Sequence, residues 1–290
     1  MREKTCHSER SEESCAREER SFAALRMTTL NFNALKKQAN GMLDADIYAA
    51  IHDTAASVKN GDIVEIGTAH GAATIALAHG LMKTGRKTAK VITIDKITGG
   101  SRDRFGTVDD NVKIIHENFH AFGAADAIDF YLGASDEIAP SLPADLKIGL
   151  LMLDADGAID RDFRLFYNSL LPGAPIIIDD YKDGFVRVSQ NGNRVSIEQK
   201  RRITAALVHY FESKNLLQRV RVLNETYFGI KPHHITQEVQ FDNEEIMPIY
   251  RSLVFAEGDL HGSAAELIGR ATRRFPGLHK TLKKIYMRKS

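Results

Sequence analysis

The chain has 290 residues, a formal net charge of +1 and two cysteines. That length holds one large domain with extensions and buries a proper core. The near-neutral charge excludes the global field of a nucleic-acid-binding protein, so no DNA partner is expected. No apolar run reaches the length of a membrane span, and Cys6 and Cys15, both in a charged first segment, build no disulfide framework, which suits the cytoplasm.

Glu, Arg and Ser dominate residues 1–26, with no apolar stripe to bury, and this segment reads as a disordered tail. Its CHSERSEES and SFAALRMT stretches resemble translated repeats found between bacterial genes, which makes Met27 the expected start and 27–232 the folded domain. A helix over 44–58 precedes DIVEIG (62–67), a β-branched run ending in glycine, and a helical stretch follows over 71–83. The pattern then repeats. VITID (91–95) leads to a helix over 109–122, IDFYLG (128–133) leads to SDEIAPSL, and IGLLMLD (148–154) leads to a helix over 159–171 and then to APIIIDDY (174–181). A long amphipathic helix over 197–214 runs into RVRVLNETYFGIKP, two strands joined by Asn224-Glu225. Apolar strands alternating with helices predict an α/β fold with three layers. Its sheet has seven mostly parallel strands, the final hairpin adding an antiparallel one at the edge. Ligands of such sheets bind beyond the carboxyl ends of the strands, where the polar clusters of this chain fall.

Two clusters carry chemistry. In VEIGTAHGAATIALA, Gly67 and Gly71 occupy the turn between a strand and a helix, where glycine permits close approach of the backbone to a ligand. Their spacing is not that of a dinucleotide fingerprint, which argues against an NAD-dependent dehydrogenase. Asp95 ends the next strand, a place from which an acid takes both hydroxyls of a ribose. Taken alone, Glu65 reads as a cap or loop ion pair and Asp95 as a strand-end turn residue. The second cluster is acidic: Asp154 ends one strand, and Asp179 and Asp180 end the next. In a parallel sheet the three carboxylates converge on one edge and raise one another's pKa, a penalty that a hard divalent cation such as magnesium removes.

VEIGTAHG, VITID, LGASDEI and LMLDAD…LLPGAPIIIDDY, in that order, resemble the class I S-adenosylmethionine-dependent O-methyltransferases with a Rossmann-like fold. The likeness is strongest to the metal-dependent branch, the catechol, caffeoyl-CoA and macrocin-type sugar enzymes, and it spans about residues 40–232. It implies that Glu65, Gly67 and the turn Thr68, Ala69, His70 and Gly71 hold the methionine end of S-adenosylmethionine. It also implies that Asp95 binds the ribose, that Ser135 and Asp136 flank the adenine, and that Asp154, Asp179 and Asp180 bind the metal. The family often has serine where Ala73 stands, so a methionine-carboxylate contact is missing here or supplied by Thr74. Catechol-type relatives carry a lysine three residues after the first metal aspartate, where this chain has Gly157. The macrocin-type enzymes place an aspartate two residues on, so Asp156 is the expected catalytic base, against the reading that it caps the 159–171 helix. The expected reaction is methylation of a hydroxyl on a small molecule or sugar. The rivals are a metal-independent class I methyltransferase acting on O or N, and a protein that binds S-adenosylmethionine without chemistry.

His116 and His120, four apart on a helix, read as surface residues, His70 as a loop histidine facing solvent, and His209 as packed or half-exposed. His233-His234 follows the last strand without a role. The segments TGGSRDRFG and KDGFVRVSQNGNRV read as lid loops, whose Arg102, Arg104, Arg187 and Arg194 are solvated by default or meet an anionic substrate. The extension over 233–290 is basic with interleaved apolar residues. That composition suits packing on its own domain or in a homodimer first, and an anionic membrane surface second.

Overall fold

The β-branched runs become strands, and the glycine-marked turns lead into helices, in a computed structural model that describes residues 30–98, 105–182, 188–191, 194–197 and 199–254. The expected tail over 1–26, Arg102, Arg104 and Arg187, and the basic run from 255 onward lie outside those residues. Chain contacts divide the molecule into two units, residues 1–133 and 134–290.

In the first unit, Asn31 caps α1 (Phe32–Gln38) by accepting the Ala34 amide, and α2 (Ala45–Ala56) follows. Then come β1 (Asp62–Ile66), α3 (Ala72–Lys83), β2 (Val91–Asp95), α4 (Val108–Ala121) and β3 (Ile128–Leu132). The three strands are parallel, with Glu65 opposite Thr93 and Asp95 opposite Leu132. All five residues of β2 are buried, as expected of a strand covered on both faces. A capping box opens α4: the Thr107 hydroxyl accepts the Asp110 amide, and the Asp110 carboxylate accepts the Thr107 amide. These bonds hold the Asp110 carboxyl below its usual range.

The second unit opens with the single turn α5 (Ser135–Ile138), followed by β4 (Ile148–Leu153), α6 (Ile159–Phe166) and β5 (Pro175–Ile178). The helix expected over 159–171 stops at Phe166 and tightens into a 3-10 turn over Tyr167–Ser169. Next are β6 (Val188–Asn191), β7 (Arg194–Ile197), α7 (Gln199–Ser213), β8 (Gln218–Leu223), β9 (Thr226–Ile230) and α8 (Asn243–Val254). The segment read as a loop after the acids therefore holds a small hairpin. β6 and β7 pair antiparallel, Asn191 opposite Arg194, and β7 takes up Ile197, which the sequence pattern assigned to the next helix. β5 runs parallel to β4 and antiparallel to β9, and β8 pairs with β9 at the rim. The strand order of the whole sheet is β3-β2-β1-β4-β5-β9-β8. It is a seven-stranded, mostly parallel sheet flanked by helices.

An aromatic cluster forms part of the core of the second unit. The Phe163 and Phe211 rings stack at 4.4 Å, Tyr167 stacks on Phe163 at 5.4 Å, and Phe241 meets all three edge-on. Phe241 belongs to the extension after Pro232, so the described part of that extension packs into the second unit. The Tyr250 hydroxyl donates to Asp160 on α6, and Lys214 on α7 pairs with Glu245 on α8. No helix among the described residues is long and apolar enough to cross a membrane.

Candidate active site

The turn after β1 is built from backbone that few side chains tolerate. Gly67 has φ 105°, Ala69 φ 50° and Gly71 φ 87°. A Cβ at Gly71 would lie 2.5 Å from the Phe119 ring, so glycine is needed there both for its φ and for the close approach of α4. Asp95 pins the turn: one carboxylate oxygen accepts the Ala69 amide at 2.9 Å and the other the Ile97 amide at 2.8 Å. These two bonds give Asp95 the strand-end turn role.

His70 departs from the expectation of a loop histidine facing solvent. It is buried, its Nε2 2.7 Å from Asn111 Oδ1, its Nδ1 3.3 Å from Asn40 Nδ2 and its ring edge-on to Phe105. Asn118 donates to its carbonyl. Nothing in the local loop pattern signals this. An imidazole with both nitrogens satisfied inside the fold clamps the turn to α4 and leaves neither nitrogen to a ligand.

Glu65 lies beneath the turn, fully buried on β1. Its Oε2 accepts the Thr74 hydroxyl at 2.5 Å and the Thr93 hydroxyl at 2.6 Å. Because the single Thr93 proton goes to Glu65, Thr68 is the donor in its 2.6 Å contact with Thr93. Glu65 Oε1 is buried and meets no hydrogen-bond partner among the described residues. Burial outweighs the two hydroxyl bonds and, with the nearby Asp95 charge, pushes the carboxyl up to about 7. An unsatisfied buried carboxylate oxygen is costly, and it fits a site that a cationic ligand group completes. Thr74, the alternative source of a cofactor contact beside Ala73, gives its own proton to Glu65.

The residues expected at the adenine behave differently from each other. Ser135 is buried and donates to Asp162 on α6 at 2.6 Å, so its hydroxyl serves packing within the second unit, while Asp136 is exposed. Burial raises the Asp162 carboxyl against the lowering pull of Arg161 and Ser135.

Asp154, Asp179 and Asp180 come together as the sequence predicts: one oxygen of each lies within 4.8 Å of the others. They are not alone. Lys200 Nζ lies 2.5 Å from Asp180 Oδ2 and 3.5 Å from Asp154 Oδ1. Arg201 reaches the other Asp180 oxygen at 3.1 Å and Glu225 at 2.7 Å. The Thr226 hydroxyl donates to Asp179 Oδ1 at 2.7 Å. Burial raises the Asp179 carboxyl, and the neighbouring Asp180 adds to it. Burial works upward on Asp180 too, but Lys200 and Arg201 overcome it and hold that carboxyl below its usual range. Three hard oxygen donors fit a magnesium-class cation. The two basic side chains were not read from the sequence, because α7 brings them in from a helix whose own pattern is only amphipathic.

Asp156 stands apart from this trio. Arg161 donates to both its oxygens, at 2.8 Å and 3.3 Å, and the Ala158 amide donates to Oδ1 at 3.1 Å. The geometry favours a turn-fixing role two residues ahead of the α6 N-cap, Ala158, over that of the catalytic base. His116 and His120 are exposed on α4, His209 is partly exposed beside Tyr181, and His233 lies on the surface against Gly173.

Residues 64–181 match the family model described as a methyltransferase domain. Among solved structures, the chain is similar to an O-methyltransferase from Bacillus cereus in complex with SAH (13% identity, 73% of this chain and 96% of that one, TM-score 0.50). It is also similar to the O-methyltransferase NovP (17%, 66% and 81%, 0.50) and to cofactor-bound Rv0187 from MTB (14%, 73% and 94%, 0.51). At such identities the likeness speaks for the fold. No curated protein matches the sequence.

Proposed function

We propose that this chain, whose residues 64–181 match a methyltransferase domain, is a class I S-adenosylmethionine-dependent methyltransferase that methylates a hydroxyl oxygen of a small molecule or sugar. In this reading a divalent cation on Asp154, Asp179 and Asp180 assists the transfer. The observation that carries the cofactor half is the bare, buried Oε1 of Glu65 under a glycine-shaped turn. The ammonium of a bound methionine moiety would satisfy that oxygen, and Asp95, at the end of β2, is the acid that would take the ribose hydroxyls. Choice of oxygen as acceptor atom follows the O-methyltransferases that share the fold.

The metal half rests on the convergence of three carboxylates. When bound, a divalent cation supplies Lewis acidity that lowers the pKa of an acceptor hydroxyl. The residues of the chain do the holding. Thr226 fixes the Asp179 carboxylate and Arg201 that of Asp180, so the donors are oriented before any ligand arrives. Positioning the acceptor oxygen in line with the sulfonium methyl then supplies much of the acceleration.

One observation favours the metal-independent alternative: Lys200 and Arg201 already neutralise part of the acidic charge. Turnover with S-adenosylmethionine and vicinal-diol or sugar acceptors, measured with chelator and after magnesium is added back, separates the two. Loss and recovery support the metal reading. Full turnover in excess chelator leaves the alternative, and no turnover with any acceptor, despite tight S-adenosylhomocysteine binding, leaves a binding protein. For the basic run beyond residue 254, we propose packing or self-association ahead of membrane-surface contact, with cytoplasmic residence.

A further inference from the structure

Lys200 enters the acidic cluster from the first turn of α7, and the path it takes is shaped for it. Its stem crosses Gly157, where an added Cβ would lie 2.9 Å from the Lys200 carbonyl and 3.0 Å from its Cγ, at a φ of +84° that side chains rarely adopt. The turn after Asp154 thus leaves room for this lysine and for little else. Its ammonium sits on two of the three carboxylates that form the candidate metal centre, 2.5 Å from Asp180 Oδ2 and 3.5 Å from Asp154 Oδ1. Arg201 is differently placed, since it divides its guanidinium between Asp180 and Glu225 on the outer side of the cluster. An ammonium and a divalent ion drawn to the same two carboxylates come within a few ångströms of each other, and they repel strongly in a partly buried setting.

We propose that Lys200 is a tethered occupant of the cluster. It neutralises Asp154 and Asp180 while no metal is bound, and a divalent ion must push it off Asp180 to enter. Lys200 therefore sets the metal affinity, making loading weaker and more dependent on the free cation concentration than three carboxylates alone would give. The inference rests on the metal reading proposed above.

Calorimetric titration of the full chain with Mn²⁺ alone, without acceptor, tests it on wild type, Lys200→Met and Lys200→Gln. Both variants should bind Mn²⁺ about tenfold or more tightly than wild type, because a repelling charge has gone. Without metal both should melt lower, by on the order of 3 °C, because Asp154 and Asp180 have each lost one cationic partner, and Mn²⁺ should restore the loss. Equal Mn²⁺ affinity in all three proteins, or metal-free variants that melt like wild type, overturns the role of Lys200 while leaving the metal centre standing. Absence of Mn²⁺ binding in all three overturns the metal centre itself, and this inference with it.

Discussion

The turn after β1 holds buried carboxylates and the acidic cluster after β4 and β5 half-buried ones, and they handle that charge in opposite ways. In the first, Glu65 receives, among the described residues, two hydroxyl bonds on one oxygen, none on the other, and no cation. In the second, three acids receive a lysine, an arginine and a threonine. On the proposed reading, one site would be completed by a positive ligand group, whereas the other carries its own cation and would have to give it up. The difference implies that cofactor binding should tolerate little change around Glu65 and Asp95, while the metal site should respond to changes in either direction.

The sharpest way to break this comparison is Asp154→Ala. It removes a charged donor and one Lys200 partner, and turnover should fall by about a thousandfold, the several kcal/mol that a polarising cation supplies. S-adenosylhomocysteine should still bind, because Glu65 and Asp95 are untouched. A variant that keeps full turnover, assayed with and without chelator, would move the chemistry away from the cluster altogether.

Asp95→Ala attacks the other site. It frees the Ala69 and Ile97 amides and removes the acid facing the ribose, so S-adenosylhomocysteine affinity should fall about a hundredfold, from two charge-assisted hydrogen bonds and the ligand contact. Binding measured by calorimetry checks this, and Mn²⁺ affinity should not move. Loss of both would mean that the two sites fail together and that the contrast between them is false.

Glu65 gives the contrast a pH signature. Its carboxyl is pushed up to about 7, chiefly by burial, from an ordinary value of 4.5. In the ligand-free protein the raised value favours the protonated form, so its contribution to stability is complete below the unfolded value and is lost as pH rises through about 7. With Oε2 already accepting two hydroxyls, the proton resides on Oε1, the oxygen that a ligand ammonium needs. Cofactor binding should therefore expel a proton below about pH 7, and affinity should climb by up to about tenfold per pH unit between pH 5 and 7, then level off. Glu65→Gln should flatten the profile. An unchanged slope in that variant would assign the titration to another group.

Much of this contrast was legible before the fold was known. The order of strands, Gly67 and Gly71 in their turn, and the three aspartates at strand ends all follow from apolar periodicity and from where acids interrupt it. What stayed hidden came from residues whose role depends on distant partners. Lys200 and Arg201 look like the polar face of an amphipathic helix, and only tertiary packing carries them to Asp180. His70 looks like a loop residue until Asn111 and Asn40 close around it. The β6–β7 hairpin stays hidden although Gly192-Asn193, the pair between its strands, is a hairpin signal in the sequence, because VSQN and RVSI are too short and polar to read as strands.

The smallest expected effect concerns the carboxylate that the sequence favoured as the base. Asp156 is half exposed and bound by Arg161, so Asp156→Ala removes a surface ion pair and a turn-fixing bond, worth about 1 kcal/mol or less. Turnover should stay within about threefold of wild type, below the roughly hundredfold or greater loss typical of a lost general base. Metal and cofactor affinities should be unchanged, since neither set of groups includes Asp156. Steady-state kinetics decide the matter, with Arg161→Met as the control. If the pair is structural, both variants keep near-normal turnover, Asp156→Ala with a small stability loss and Arg161→Met with a larger one, because Arg161 also pairs with the buried Asp162. If turnover instead collapses in Asp156→Ala while rising in Arg161→Met, the guanidinium restrains a working base, and the proton leaves through Asp156 after all.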